Sequence, residues 1–446
     1  MNKIIKIFNY QFLIKEALIL LFGYLLMDQL FSWILVPTSA FIRTYIKIGG
    51  FVIYGFVLYS LPKLKMIERI YVSIFTLLMI RLVLESLYKF DSFFQQLTMF
   101  YVLFPVIYTI FIKYICRLFD FDLLEFLAKF YLLTYIVFMP IYGRSFSFSL
   151  EGLDMEDLGV FSGDGRVIHA TSVFMMILPF IWYLDRYIQT VKAKFLIPLI
   201  FCALIIVIHQ HRSVWSCAIF SLFIYLFMSA RANKKKIPAI WGLITGTLVL
   251  ALGVFFFVDT LFPKMIEFLG TRFADILSPS KTGSTGTFRA DQREVYSKLF
   301  LQRPIFGWSF EGFEMPNPLV DWWDAKTGQH FHEGFMEVLF YLGITGFLLK
   351  YSPLFYMVYK MFSKKLSNQT IVILSFCISG LLLSLNYVPI IIFWGHVGLG
   401  LYYLEKDNLL LKKPVEIEGT EIVANIPVPR QVLKQHPLED VRVFHT

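Results

Sequence analysis

The stretch Phe331-His332-Glu333-Gly334-Phe335-Met336-Glu337-Val338-Leu339-Phe340-Tyr341-Leu342-Gly343-Ile344-Thr345-Gly346 leaves the one long hydrophilic interval of the chain and opens an apolar run reaching residue 358. A run of that length is near the roughly 20 residues a helix needs to cross a bilayer. It also carries an ionisable histidine to a water–bilayer boundary, where a proton and a lipid-borne molecule can both arrive. Position and chemistry together make His332 a site candidate.

The rest of the chain repeats the apolar pattern. Apolar residues make up 57% of 446 and charged residues 16%, with 49 phenylalanines. Soluble domains carry about a quarter charged residues, so this chain belongs in lipid. Backbone groups in hydrocarbon must be satisfied internally, and long unbroken apolar runs do so as helices. The expected fold class is all-α: a polytopic membrane helical bundle of about twelve transmembrane helices with one long external loop. The expected spans are 17–36, 46–62, 70–87, 96–115, 122–141, 167–184, 195–210, 213–229, 238–258, 332–358, 369–386 and 389–404. Residues 1–413 form the membrane domain, including the external loop 259–331, and 414–446 a polar, proline-broken cytoplasmic tail expected to be disordered.

Basic residues fall in every second loop: Lys63-Lys65-Arg69, Lys113-Arg117, Arg186-Lys192-Lys194, Arg231-Lys234-Lys235-Lys236 and Lys360-Lys364-Lys365. The positive-inside rule makes that set cytoplasmic, with both termini on the same side. The net charge of +9 is thereby explained without nucleic acid. Cys116, Cys202, Cys217 and Cys377 lie far apart in or beside apolar segments and form no staple or metal knuckle. Lys3 and Lys6 precede the first apolar run and Thr38-Ser39-Ala40 mimics a processing site. That run is too long for a signal peptide and holds Asp28, so a retained helix is expected.

Two external intervals have substance, 142–166 and 259–331. In the second, Leu261, Phe262, Met265, Ile266, Leu269, Phe273, Ile276 and Leu277 recur at helical spacing, as in a helix lying in the interface plane. A Ser/Gly-rich run at 278–286 follows, then a charged helix near 289–301. Trp308, Trp322 and Trp323 suit contact with headgroups.

Arg212 closes the tight external hairpin His209-Gln210-His211-Arg212. A guanidinium at membrane depth calls for an anionic partner, and its fork matches phosphate oxygens, so a lipid pyrophosphate is the natural ligand; a snorkelling or acid-paired arginine is the alternative. Arg289 and Arg293 share one helix face, where an anion between them, or Asp291 and Glu294, would offset their repulsion. Arg166 and Arg144 are weaker candidates. His332 is the candidate base, its alternative role a helix cap; Glu333 shares or replaces it, and Glu337 lies one turn on. Two pairs, His209/His211 and His330/His332, have no spacing that gathers them around zinc. Asp321-Trp322-Trp323-Asp324 contains the triplet of asparagine-linked oligosaccharyltransferases, but the first external loop lacks the acid those enzymes need.

His332 followed by ten residues and Gly343, with Gly346 beyond, resembles the His–Gly pattern of the bacterial O-antigen polymerase and O-antigen ligase family. Arg303-Pro304-Ile305-Phe306-Gly307-Trp308, His211-Arg212-Ser213 and Gly165-Arg166 through His169-Ala170 fit the same pattern. The resemblance spans roughly 160–350. It implies a C-type glycosyltransferase fold in the bacterial inner membrane, working without metal or other cofactor on the periplasmic side in lipopolysaccharide or other polysaccharide biosynthesis. A glycan on undecaprenyl pyrophosphate would pass with inversion to a hydroxyl of another repeat, as in a polymerase, or of lipid A–core, as in a ligase. A chain-length regulator protein is an implied partner. Arg212 and Arg289 would hold pyrophosphate, and His332 would position or deprotonate the acceptor; Arg293 and Arg166 stand beside them as further candidate pyrophosphate ligands read from the residues. The family often has a small amide or hydroxyl residue after its histidine; Glu333 departs from that and leaves two candidates for the base. The rival reading is a polysaccharide transporter or lipid flippase, which calls for charged residues midway along several helices. Arg81 and Glu85, one turn apart, are the clearest such pair.

Overall fold

The computed structural model describes residues 4–7, 10–13, 40–93, 98–142, 169–209, 211–232, 285–309, 331–363 and 366–412, with Gly242, Thr245 and Glu311. The expected span 17–36, the span 238–258 apart from Gly242 and Thr245, the interface helix at 261–277, Arg144, Arg166, Trp322, Trp323 and the tail 414–446 lie outside the described residues.

One departure from an all-helical chain comes first. β1 (Ile4–Ile7) and β2 (Tyr10–Leu13) pair antiparallel, with Ile7 opposite Tyr10. Isoleucines on one strand and aromatics on the other favour this extended pairing.

Helices make up the remaining elements: α1 (Ala40–Tyr59), α2 (Met66–Phe90), α3 (Thr98–Phe119), α4 (Leu124–Tyr142), α5 (Ala170–Phe174), α6 (Ile177–Thr190), α7 (Ala193–Ile208), α8 (Arg212–Ala232), α9 (Thr285–Gln302), α10 (Gly334–Lys360), α11 (Asn368–Ser384) and α12 (Ile391–Lys412). Every span expected between 46 and 404, apart from 238–258, falls on one of these, with 167–184 divided between α5 and α6. Among the described residues, α2, α3, α8 and α10 are long and apolar enough to cross a membrane. The core forms where α3 packs along α12 and α8 along α11, around buried Phe104, Tyr108, Phe376 and Trp394.

The two ends of the bundle differ in chemistry. At one end Lys65 meets Glu405 at 2.7 Å, while Lys113 and Arg117 meet Glu68 at 2.8 and 2.9 Å. Lys406 and Tyr402 hold Asp120, Tyr403 holds Asp122, and Arg231 donates to the Phe362 carbonyl at 3.0 Å. The Tyr225 hydroxyl donates to Asp185 at 2.9 Å, bringing the end of α6 to the same region. The alternate basic loops read from the sequence therefore gather at one end. Arg231 closes α8 there, so Arg212, which opens α8, stands at the other.

The apolar run expected as a single span at 332–358 is two arms. Gly343 has φ 63° and ψ −162°, a backbone region essentially restricted to glycine, and α10 folds back on itself there. Phe335 meets Phe347 at 5.5 Å and Tyr351 at 4.6 Å between ring centroids, as antiparallel arms 334–342 and 344–360 require. The turn after α9 wedges this bend open. Ile344 and Thr345 donate backbone N–H to the carbonyls of Pro304 and Ile305, and Trp308 and Ser309 donate to those of Phe340 and Tyr341. A Cβ on Gly343 would sit 2.5 Å from the Ile305 carbonyl, and one on Gly307 2.5 Å from the Phe340 oxygen. The glycines at 307 and 343 are thus two halves of one joint.

Candidate active site

The fold-back carries His332 and Glu333 below the bend. Gly334, the first residue of the descending arm, lies against Tyr351, Tyr387 and Pro389, close enough that an added Cβ would be 2.9 Å from the Tyr351 hydroxyl. Tyr351 is eight residues past Gly343, so the arm's base lies roughly 12 Å along the helix from the bend at 1.5 Å per residue. His332 is therefore sunk into the head of the bundle rather than set at its rim.

α9 clamps the segment from the side. Its charged sequence forms the helix expected near 289–301, and its apolar face seats against the arm: Tyr296 meets Phe331 at 4.7 Å and Phe340 at 5.1 Å. One turn earlier, buried Gln292 accepts the backbone N–H of His332 at 3.3 Å, and Arg293 Nε donates to Glu333 Oε1 at 2.6 Å. The partner of Arg293 is thus Glu333 rather than Asp291; Glu294 pairs with Lys298 instead. Glu333 is 4% exposed. Burial pushes its carboxyl above the usual range, while the Arg293 hydrogen bond and charge, with the Arg289 charge, pull the other way.

Arg289 takes a different route from Arg293. Its guanidinium lies 4.9 Å over the Tyr387 ring, and its buried Nε has no hydrogen-bond partner among the described residues. The same tyrosine meets the His169 ring edge-on at 5.5 Å. His169 caps α5 by accepting the Thr171 N–H at Nδ1, which in the neutral ring leaves the proton on Nε2. Burial first, and the Arg289 charge second, hold its pKa below the ordinary value. Tyr387 was not singled out in the sequence, and His169 only as part of a pattern; an aromatic between α11 and α12 carries no local signal for a site.

Arg212 opens α8 at this same end, and α8 packs on α5 just beyond His169. His209 and His211, flanking the same hairpin, are buried, at 3% and 6% exposed. His209 Nδ1 bonds the Ile205 carbonyl at 2.8 Å, and burial lowers its pKa against that bond. No group of three or more His, Cys, Asp or Glu suited to a metal occurs among the described residues. The structure thus brings Arg289, Arg293, His332 and Glu333 together, and puts Arg212 at the same end of the bundle.

Below this cluster an apolar groove of about 590 Å³ opens between α8, α10 and α11, lined by Phe220, Phe223, Phe227, Phe335, Phe347 and Leu382 among others. Its upper end is Phe335, two residues past Glu333.

No curated protein matches this chain. The family model described as O-antigen ligase matches residues 197–351, a segment holding Arg212, Arg289, the 303–308 turn, His332 and Gly343. Over residues 197–351 this membrane protein is thus similar to the O-antigen ligase family.

Proposed function

We propose that the chain is a glycan polymerase that takes repeat units from undecaprenyl pyrophosphate on the periplasmic face of the bacterial inner membrane. The observation that carries this reading is the meeting of a cation, a carboxylate and a histidine above an apolar groove. Arg289, whose buried Nε has no hydrogen-bond partner among the described residues, presents positive charge to a diphosphate, and Arg212 at the same end adds a second guanidinium. As the glycosyl–oxygen bond breaks, these cations meet the charge growing on the leaving diphosphate. The acceptor hydroxyl attacks the opposite face of the sugar and gives its proton to His332 or Glu333, so one base suffices for inversion. Arg293 fixes Glu333 by donating to its carboxyl group, and its charge opposes the upward push of burial on that carboxyl, which suits a proton acceptor. The groove beginning at Phe335 suits the isoprenoid chain of the same donor.

Ligation to lipid A–core is the second reading, favoured by the ligase description of the matched family. Electrophoresis of surface polysaccharide from a deletion strain separates the two. A single repeat on lipid A–core marks a lost polymerase, and accumulated long lipid-linked chains mark a lost ligase. Complementation with His332→Ala should fail although the protein inserts. Normal polysaccharide ladders from that variant would remove the histidine from the mechanism.

A further inference from the structure

The arm that carries His332 and Glu333 has a polar contact of its own. Glu337 Oε2 on 334–342 faces Lys350 Nζ on 344–360 at 3.8 Å, across the bend at Gly343. Lys350 is 2% exposed, and its ammonium also lies 5.5 Å from the Trp394 ring of α12. Among the described residues this is the one ion pair between the two arms. Thirteen residues separate the partners in sequence, about 20 Å along a straight helix at 1.5 Å per residue, so only the folded-back form brings them together. A charge held in an apolar bundle without its partner is strongly disfavoured, so either residue alone works against the fold-back that the pair favours.

We infer that Glu337 and Lys350 pin the re-entrant arm at the depth that presents His332 and Glu333 to the substrates. Both are positioning residues, and the inference rests on the transferase reading above. Neighbouring contacts support the direction of the effect. The bend is held by the 303–308 turn and the base of the arm by Arg293, while Glu337 lies between them, facing the arm's own partner helix. Shape alone packs Phe335 on Phe347 and Tyr351, and rings slide along one another more readily than a buried ion pair does.

The test compares Glu337→Met, Lys350→Met and the double variant in purified full-length protein, by steady-state transfer and by amide hydrogen exchange over 334–342. Each single variant should lower kcat by roughly tenfold to a hundredfold, the loss expected from a small misplacement of reacting groups, with donor KM little changed. Exchange in the arm should rise in both singles. The apolar double, which leaves no lone buried charge, should regain most of the kcat and the slow exchange. Singles with wild-type kcat and exchange, or a double no better than either single, would overturn the pin. Wild-type protein that transfers no glycan would sink the transferase reading instead, and the exchange pattern would still decide whether the pair holds the arm.

Discussion

Arg293 Nε stands 2.6 Å from Glu333 Oε1, and that bond joins the charged loop helix to the residue next to the candidate histidine. The arginine side chain is half exposed while the carboxylate is 5% exposed, so the pair sits at the mouth of the site with its acid inside. A glutamate that works as base, or that orients one, must be ionised. Burial raises its pKa and Arg293 lowers it.

Arg293→Ala removes the lowering influence and leaves the burial, so the Glu333 pKa rises further. The acid limb of the kcat/KM profile should accordingly move to higher pH, with activity retained best on the alkaline side. A pH–rate profile of variant and wild type checks this. An unmoved limb, or one displaced toward acid, would show that Glu333 ionisation does not limit transfer.

Arg289→Lys keeps the charge but loses both the planar stack on Tyr387 and the fork that spans two phosphate oxygens. Donor KM should rise about tenfold, near 1.4 kcal/mol of lost affinity. Tyr387→Leu should act in the same direction and more weakly, because it removes only the platform. Titration with lipid-linked donor reads both. A lysine variant with wild-type KM would take Arg289 out of diphosphate binding.

Gly343→Ala places a Cβ where the Ile305 carbonyl stands, in a backbone region that disfavours side chains by about 1–3 kcal/mol before the clash is counted. The joint between the 303–308 turn and α10 should open. Thermal unfolding of detergent-purified protein should fall by several degrees, and activity should fall further than stability because the arm bearing His332 hangs from this joint. A variant with wild-type melting and activity would show that the bend tolerates a side chain.

These relationships explain which parts of the molecule were legible in the chain. The helices and the basic end follow from hydropathy and from lysine and arginine spacing, which need no tertiary knowledge; Arg81 and Glu85 pair at 2.7 Å as their spacing suggested. The arginines at 289 and 293 also read correctly as neighbours on one helix. The fold-back at Gly343 did not, because an apolar run buried on most sides has the same pattern whether it crosses once or doubles back. The glycine and the 303–308 turn were visible as a motif, but their hydrogen bonds join residues 32 to 40 positions apart. Tyr387 meets His169 and Arg289 across even longer separations, which no local spacing encodes.

The apolar groove yields the last prediction. Phe223 is 65% exposed on α8 and lines the groove, eleven residues and about 16 Å down that helix from Arg212. An isoprenoid chain laid there would bury its methyl and methylene groups, each contributing about 0.8 kcal/mol. Phe223→Asn introduces an amide that the groove cannot hydrogen-bond, which disfavours the chain without touching the cations above it. KM for a full-length polyprenyl donor should rise about tenfold, the effect of losing one or two such groups. KM for a donor analogue with a truncated, two-isoprene tail should stay close to wild type, since so short a tail would not extend the about 16 Å of α8 that separates Arg212 from Phe223. The pair of measurements isolates the groove from the diphosphate site. Equal losses on long and short tails would mean that the substitution disturbs the bundle as a whole, and no loss on either would place the lipid tail elsewhere on the protein surface.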